Sequence, residues 1–588
     1  MSDANRKREW INAVRWEAVL SNAAHIPLPA ILMTLVLLFV CFYDLNRVEL
    51  IDLVDEGLHA NAARQMVDSG DWITPRFGSI LFLDKPPLTF WCQAVFIRIL
   101  GATTLAARLP SAIAACSTAL SLYFWAKSRG IVRVGWLAAM LYVLCPLVAL
   151  GLARVAMMDS LLTLWFTLSV IGWIEGYGGN RKGYLLMAAA MGLAVMTKGV
   201  IGLLLPCASV SIWLIIRRDW AALRLVPWVA VLAIFMLLVL PWHIAAWRAD
   251  GNLFLREYFM HHHVQRFLGE DFGHNQPVWY YVPNLASAML PWSVFVPVAW
   301  WRSLRLWRSE RHSLDCAFAM WGLWAAIVVL FFSLSASKLP NYVLPALPAL
   351  VLLVAWRLDS VWKMRRGLYA LESSILGISG SLLGILFLTT GLFGWQWRTP
   401  PASAPWLARK LGAIFNWKAQ SESIDLLWHK LMPVTVLAPY WIALGALLLL
   451  GSIIILAFWR NTFKTFISAL LMSLSLIVLL VHFIMPVWSD YNAAPLNGLS
   501  RSTLPALQNG ETLVLYALHR PSLRYILGHN QQLIETFSPD ILQSVLSSAG
   551  HGHILTRRDT TLPPLPGALQ QEAEAGQWVL WRYDSNAR

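Results

Sequence analysis

The sequence predicts an all-α membrane protein of about thirteen transmembrane helices with external juxtamembrane helices, followed by a small soluble α/β domain. Three observations predict it. Of 588 residues, 58% are apolar and 13% are charged, with a mean hydropathy of +0.57, whereas a soluble domain carries about 25% charged residues. The apolar residues form uninterrupted runs long enough to cross a bilayer. The basic residues, in formal excess by 46 − 32 = 14, sit in short segments between those runs, where they set orientation and do not suggest a nucleic-acid partner.

Taken in order, residues 1–25 carry Arg6, Lys7, Arg8 and Arg15 and are assigned to the cytoplasm. The first apolar run, 26–43, lacks a small-residue cleavage site after it and is read as a retained span. A first external loop, 44–106, follows. Its acidic part holds Asp44, Glu49, Asp52, Asp55, Glu56, Asp68, Asp71 and Asp84. Residues 88–100 (LTFWCQAVFIRIL) read as an interfacial or re-entrant helix with Phe90 and Trp91 at headgroup level. One long bent span over 88–126, or two spans there, is the alternative.

Further spans are read at 107–126, 134–151, 160–176, 184–197, 200–216, 225–242, 288–301, 316–334, 341–356, 370–393, 436–458 and 466–486. The spans at 184–197 and 200–216 leave only a very short connection around Lys198. Basic clusters at Lys127/Arg129/Arg133, Arg181/Lys182, Arg217/Arg218/Arg224, Arg302/Arg305/Arg308/Arg311, Arg357/Lys363/Arg365/Arg366 and Arg460/Lys464 mark the cytoplasmic loops. The odd count of thirteen puts the C-terminus outside. A large external loop covers 243–287, and a Trp-rich external segment covers 395–433. The membrane domain is bounded at 26–487 and a C-terminal domain at 488–588. In the latter, ETLVLYAL, GHILTRR and QWVLWRY read as strands and SPDILQSVLSS as a helix.

The six cysteines lie in or beside hydrophobic stretches without paired spacing, which argues against disulfide and zinc frameworks. No nucleotide-binding, zincin or nucleophile-elbow motif sits where its mechanism needs it. No sequence repeat supports a duplicated transporter.

Threading places an unusual set of ionisable residues on the external face: Asp55, Glu56, Lys85, Arg154, Asp159, Lys198, the segment from His261 to Arg266, and Lys338. Each alone is compatible with a snorkelling anchor. Together they suggest a site. Asp55 and Glu56 open an amphipathic helix in which Leu58, Ala62 and Met66 share a face; they are candidate catalytic carboxylates, with helix capping as the plain alternative. Lys85 precedes Pro86 and Pro87, which fix the backbone and suit the ammonium to a lipid phosphate. Lys198 and Lys338 each meet a span end beside Gly or Pro and are read the same way, as is Arg266, whose guanidinium can grip phosphate bidentately. Arg154 and Asp159 bracket a short external turn, for which a local ion pair is the plain alternative. The run His261, His262, His263 looks like a metal site, but consecutive helical residues point apart, so a solvated loop is favoured.

The run DEGLHANAARQMVDSGDWITPRFGSILFLDKPPLTFW, with AVMTKGVIGLLLP, HHHVQRFLGEDFGHNQPVWYYVP and SASKLPNYVLP, resembles the bacterial aminoarabinose transferase family. That family lies within the C-type, polyprenyl-phosphate-dependent glycosyltransferases that include protein O-mannosyltransferases. The motifs recur in order to about residue 350. The resemblance implies a thirteen-span inner-membrane protein with a periplasmic C-terminal domain and sugar transfer from undecaprenyl phosphate to a lipid A phosphate. It also implies Asp55 as the leading catalytic carboxylate and Lys85, Asp159 and Lys198 as functional residues, Asp159 being counted with the candidate catalytic carboxylates. His59 stands where the family usually has Tyr, and Asp84 where Glu is common. His59, Arg154 and Tyr342 are candidate substrate contacts; Asp84, His261 and His262 are the candidate metal ligands.

The chemistry expected is inversion: cations neutralise the donor phosphate while Asp55 orients the acceptor or takes its proton. No cofactor is required, and a divalent metal is compatible. The expected partners are an undecaprenyl-phosphate-linked sugar, lipid A or another envelope acceptor, and membrane lipids. The alternatives are another sugar, a protein Ser/Thr or lipooligosaccharide acceptor, or a lipid-linked sugar flippase.

Overall fold

The structure is a computed structural model. It describes residues 28–52, 55–78, 80–258, 276–335, 337–363, 370–396, 435–458, 462–528 and 532–585. Each of the thirteen apolar runs falls on a helix. In chain order these are α1 (Leu28–Phe42), α4 (Thr104–Ser128), α5 (Val132–Val143), α6 (Met158–Tyr177), α7 (Lys182–Lys198), α8 (Ile201–Arg217) and α9 (Trp228–Phe254), then α11 (Val296–Leu304), α12 (Leu314–Leu334), α13 (Leu347–Lys363), α14 (Ala370–Gln396), α15 (Ala438–Ala457) and α16 (Thr462–Leu479). Among the described residues, seven helices are long and apolar enough to cross a membrane. The protein is a multi-pass helical membrane protein.

Two spans differ from expectation. The span read at 134–151 is broken: α5 ends at Val143, and a separate helical turn covers Val148–Leu152. Residues 288–301 are not a straight crossing: α10 (Tyr281–Ala288) and the helix reaching Leu304 meet at 119° around Pro291, making a broken span or a re-entrant hairpin. Proline there removes a backbone donor and cannot continue the preceding turn.

Burial separates core helices from peripheral ones. In the apolar window of Pro340–Lys363, 89% is buried against protein, against 17% for Trp228–Tyr258, so the former runs through the centre and the latter faces lipid. Without a hydrophobic drive between helices in lipid, close packing needs small residues. The α6–α7 pair uses them: a Cβ on Gly172 would lie 2.6 Å from Met187 N, and one on Gly183 would lie 2.4 Å from Gly176 N. These helices are antiparallel and joined by a short turn, so the start of α6 and the end of α7 lie at the same face.

That face carries the juxtamembrane helices α2 (Glu56–Ser69) and α3 (Leu88–Leu100), with a two-stranded hairpin, β1 (Arg76–Phe77) and β2 (Ile80–Leu81), between them. Helix α3 covers the segment LTFWCQAVFIRIL, separated from α4 by residues 101–103. Ala60, Ala63 and Met66 of α2 pack on Phe90, Ala94 and Ile97 of α3.

After α17 (Met485–Asn492), α18 (Ala494–Ser502) and α19 (Leu504–Gln508) comes a five-stranded sheet in the order β4-β3-β5-β7-β6. Strand β3 (Thr512–Tyr516) is buried throughout and pairs in parallel with β4 (Leu533–Thr536) and β5 (His551–Arg557). Strand β7 (Trp578–Asp584) runs antiparallel to β5 and to β6 (Ala568–Ala575). Helix α20 (Pro521–Leu527) follows β3, and α21 (Pro539–Ala549) follows β4.

Candidate active site

Two helix ends form the centre. Asp159 stands in the first turn of α6 and Lys198 in the last turn of α7, positions where the helix dipoles favour an anion and a cation respectively. Their separation is 2.6 Å, with Asp159 almost wholly buried. The second carboxylate oxygen of Asp159 accepts from Asn341 Nδ2 at 2.8 Å. Lys198 Nζ also lies 4.9 Å from the ring centroid of Tyr342. One buried acid thus ties α6, α7 and the turn before α13 together, and the lysine keeps an aromatic face beside it.

The first loop supplies the rest. Asp55 precedes α2, is exposed, has φ 62°, and makes no side-chain capping bond. Capping therefore does not account for it. Glu56 is the reverse: fully buried, with Oε1 accepting from Arg108 Nε (2.7 Å) and Ala156 N (2.7 Å), and Oε2 from Arg108 Nη2 (2.8 Å) and Ile51 N (2.8 Å).

His59, one turn along α2, is buried, and its Nδ1 has no hydrogen-bond partner among the described residues. Burial pushes its pKa below the usual histidine value, against the charges of Asp55 and Asp159, while Lys85 adds to the depression. Asp55, Asp159 and Lys85 are thus the charges that act on this imidazole.

Lys85 lies before α3 and pairs with Asp84 Oδ1 at 2.5 Å. Lys338 is buried and donates to the carbonyls of Ser335 (2.5 Å) and Gln276 (2.8 Å). Among the described residues, no carboxylate lies within 4 Å of its Nζ. An ammonium has three donors, and two of those of Lys338 are used among the described residues.

Three of the expected site residues are held by protein partners. Glu56 has four donors on its two oxygens, all from the protein, so its carboxylate ties the first loop to α4 and is not proposed as a reacting group. Arg154 forms no ion pair with Asp159; it donates to the carbonyls of Val40, Tyr43 and Asp44, closing the end of α1. Asp84 is engaged by Lys85, and no cluster of three metal-ligating side chains occurs among the described residues. His261, His262 and Arg266 lie outside the described residues.

Two residues were missed. Asn341 lies inside the SASKLPNY motif, one place before Tyr342, and a polar residue after Pro at a span end was the available signal. Arg108 was legible as a single arginine in the alanine-rich run TLAARLPSAIAAC, where an intramembrane cation implies a partner.

The family model described as dolichyl-phosphate-mannose-protein mannosyltransferase matches residues 84–245. An undecaprenyl phosphate-α-4-amino-4-deoxy-L-arabinose arabinosyl transferase of Pseudomonas fluorescens is 31% identical over 342 residues, covering 57% of this chain and 60% of that one. Its counterpart in Edwardsiella ictaluri is 33% identical over 330 residues, covering 55% and 58%. These transferases are homologues of the chain. The match spans about 60% of their length. The crystal structure of ArnT from Cupriavidus metallidurans bound to undecaprenyl phosphate superposes with a TM-score of 0.74 at 20% identity, covering 94% of this chain and 97% of that one. The apo form of the same protein gives 0.70 at 19% identity, with the same coverage. The fold is therefore shared along nearly the whole chain, including the C-terminal sheet.

Proposed function

We propose that the chain is an inverting glycosyltransferase that moves 4-amino-4-deoxy-L-arabinose from undecaprenyl phosphate to a lipid A phosphate at the periplasmic face of the inner membrane. The observation that carries this reading is the grouping of Asp55, His59, Lys85, Asp159 and Lys198 at one face of a helical bundle whose homologues are aminoarabinose transferases.

The parts divide the work. The donor joins the sugar's anomeric carbon to a lipid phosphate through oxygen. Lys338, with Lys198 and Lys85 released in part from their acids, neutralises that phosphate and makes it a better leaving group. An acceptor phosphate oxygen forms the new bond to the anomeric carbon as the old carbon–oxygen bond breaks. The electron pair leaves on undecaprenyl phosphate. Asp55, exposed and uncapped, takes the position opposite the leaving group, where it orients the acceptor and stabilises the positive charge that develops on the ring. A phosphate acceptor is already anionic and needs no strong base.

Orientation rests on charge. Lys127, Arg129, Arg133, Arg181, Lys182, Arg217 and Arg311 lie at the ends of helices opposite to Asp159 and Lys198, and positive loops stay in the cytoplasm. The test is reconstitution: purified protein given undecaprenyl-phosphate-linked aminoarabinose and lipid A yields glycosylated lipid A, whereas donor translocation without product overturns the proposal in favour of a flippase.

A further inference from the structure

Asp52, three residues before Asp55, is gripped by the C-terminal domain. Its Oδ1 accepts from Ser522 N at 2.8 Å and its Oδ2 from Ser522 Oγ at 2.7 Å, both at the start of α20. Further along α2, Arg64 donates to the carbonyl of Tyr525, one turn on in α20. The Tyr525 hydroxyl donates to Thr103 O at 2.7 Å, and Thr103 caps α4, the helix that carries Arg108. Helix α20 therefore holds both the approach to Asp55 and the body of the helix that follows it.

The approach is backbone to backbone. A Cβ on Gly57 would lie 2.3 Å from Asp52 Oδ1 and 2.6 Å from Ser522 N, so only glycine admits α20 this near to the first turn of α2. Tyr525 is itself buried in the apolar cluster formed by Ala60, Met66 and Phe90. Between these contacts Asp55 keeps φ 62°, a left-handed conformation that a non-glycine residue holds when its surroundings over-determine it.

We infer that the C-terminal domain is a working wall of the active site, and that Asp52 and Ser522 are positioning residues that set the register of α2 and with it the place of Asp55. This rests on the transferase reading above. A domain merely parked on the membrane part would not need a partly buried carboxylate lock, with Arg520 also 3.7 Å from Asp52 Oδ2, beside the candidate catalytic acid. The donor phosphate is held by cations on other elements, so loosening the lock acts on the reaction step and spares donor binding.

The experiment uses the full-length protein in nanodiscs with the variants Asp52→Ala, Asp52→Asn, Ser522→Ala and the double Asp52→Ala/Ser522→Ala. Misplacing a reacting group by an ångström lowers rates by up to about a hundredfold, so kcat for Asp52→Ala should fall at least about tenfold with donor KM within about twofold. Asp52→Asn, whose amide oxygen still accepts from Ser522 N, should recover most of the rate. The double variant should be no worse than Asp52→Ala, because both changes remove one link. Hydrogen exchange measured alongside should quicken in α2 and not in α6 or α7. Unchanged kcat together with unchanged α2 exchange overturns the inference while leaving the transferase reading intact. A wild-type protein without transfer sinks that reading instead, and α2 exchange alone then decides whether the lock sets the helix.

Discussion

Asp159 and Lys198 meet at 2.6 Å across the ends of two antiparallel helices, and the same carboxylate holds Asn341 through its other oxygen. The pair is inaccessible enough to be energetically significant. Removing one member of a buried, hydrogen-bonded pair costs about 2–5 kcal/mol, much of it from the charge left behind.

Asp159→Asn and Lys198→Met should each lower transfer by about thirtyfold or more on that scale. The double variant should lose less than the product of the two, because no orphaned charge remains. Steady-state rates on the four proteins check this. Strict additivity would mean that the two residues act apart.

Glu56 is expected to fail differently from Asp55. Glu56→Ala strands Arg108 in a buried site, at a cost of about 3–5 kcal/mol, so folded protein should fall sharply in amount and in thermal-inactivation temperature. Co-substitution of Arg108 with Met should restore part of it. Thermal inactivation of the solubilised variants is the measurement, and a stable but inactive Glu56→Ala protein would return Glu56 to the catalytic set.

His59 gives a pH signature. Burial lowers its pKa in the folded state, so below the unfolded value, about 6.5, the unfolded chain binds more protons than the native one. Stability therefore decreases as pH falls through about 6.5 and levels off once the native imidazole also protonates. Thermal stability scanned from pH 8 to pH 5 should show this acid limb in the wild-type protein and a shallower one in His59→Gln. An identical limb in both would remove His59 as its source.

The orientation is open to labelling. In a Cys207→Ser background, Ile80→Cys on the exposed hairpin should react with an impermeant maleimide in spheroplasts, whereas Arg181→Cys should react only after permeabilisation. The opposite pattern would put the site in the cytoplasm.

Most of the fold was legible because membrane insertion writes itself as length and hydropathy: the apolar runs became helical, two of them broken, and only two residues separate Lys198 from the start of α8. Strands β3, β5 and β7 were legible as apolar segments. Strand β6, reading ALQQEAEA, was not, because it lies mostly exposed and carries no hydrophobic alternation. Neither was β4, at four residues.

The site was legible as a set of residue types at one face, but not as a set of pairs. Glu56 finds Arg108 fifty-two positions on, and Asp52 finds Ser522 across 470 positions. Such pairings leave no periodic trace. Asp55 and Glu56 are neighbours of like chemistry, and only the exposure of one and the burial of the other separates the proposed reacting group from the proposed scaffold.

The most direct measurement is the mass spectrum of lipid A incubated in proteoliposomes with the aminoarabinose donor and either wild-type protein or Asp55→Asn. Wild-type protein should add one aminopentose to a lipid A phosphate, and Asp55→Asn should add none while folding normally. Equal product from both proteins, or none from wild-type, would contradict the assignment of Asp55 as the catalytic carboxylate of an aminoarabinose transferase.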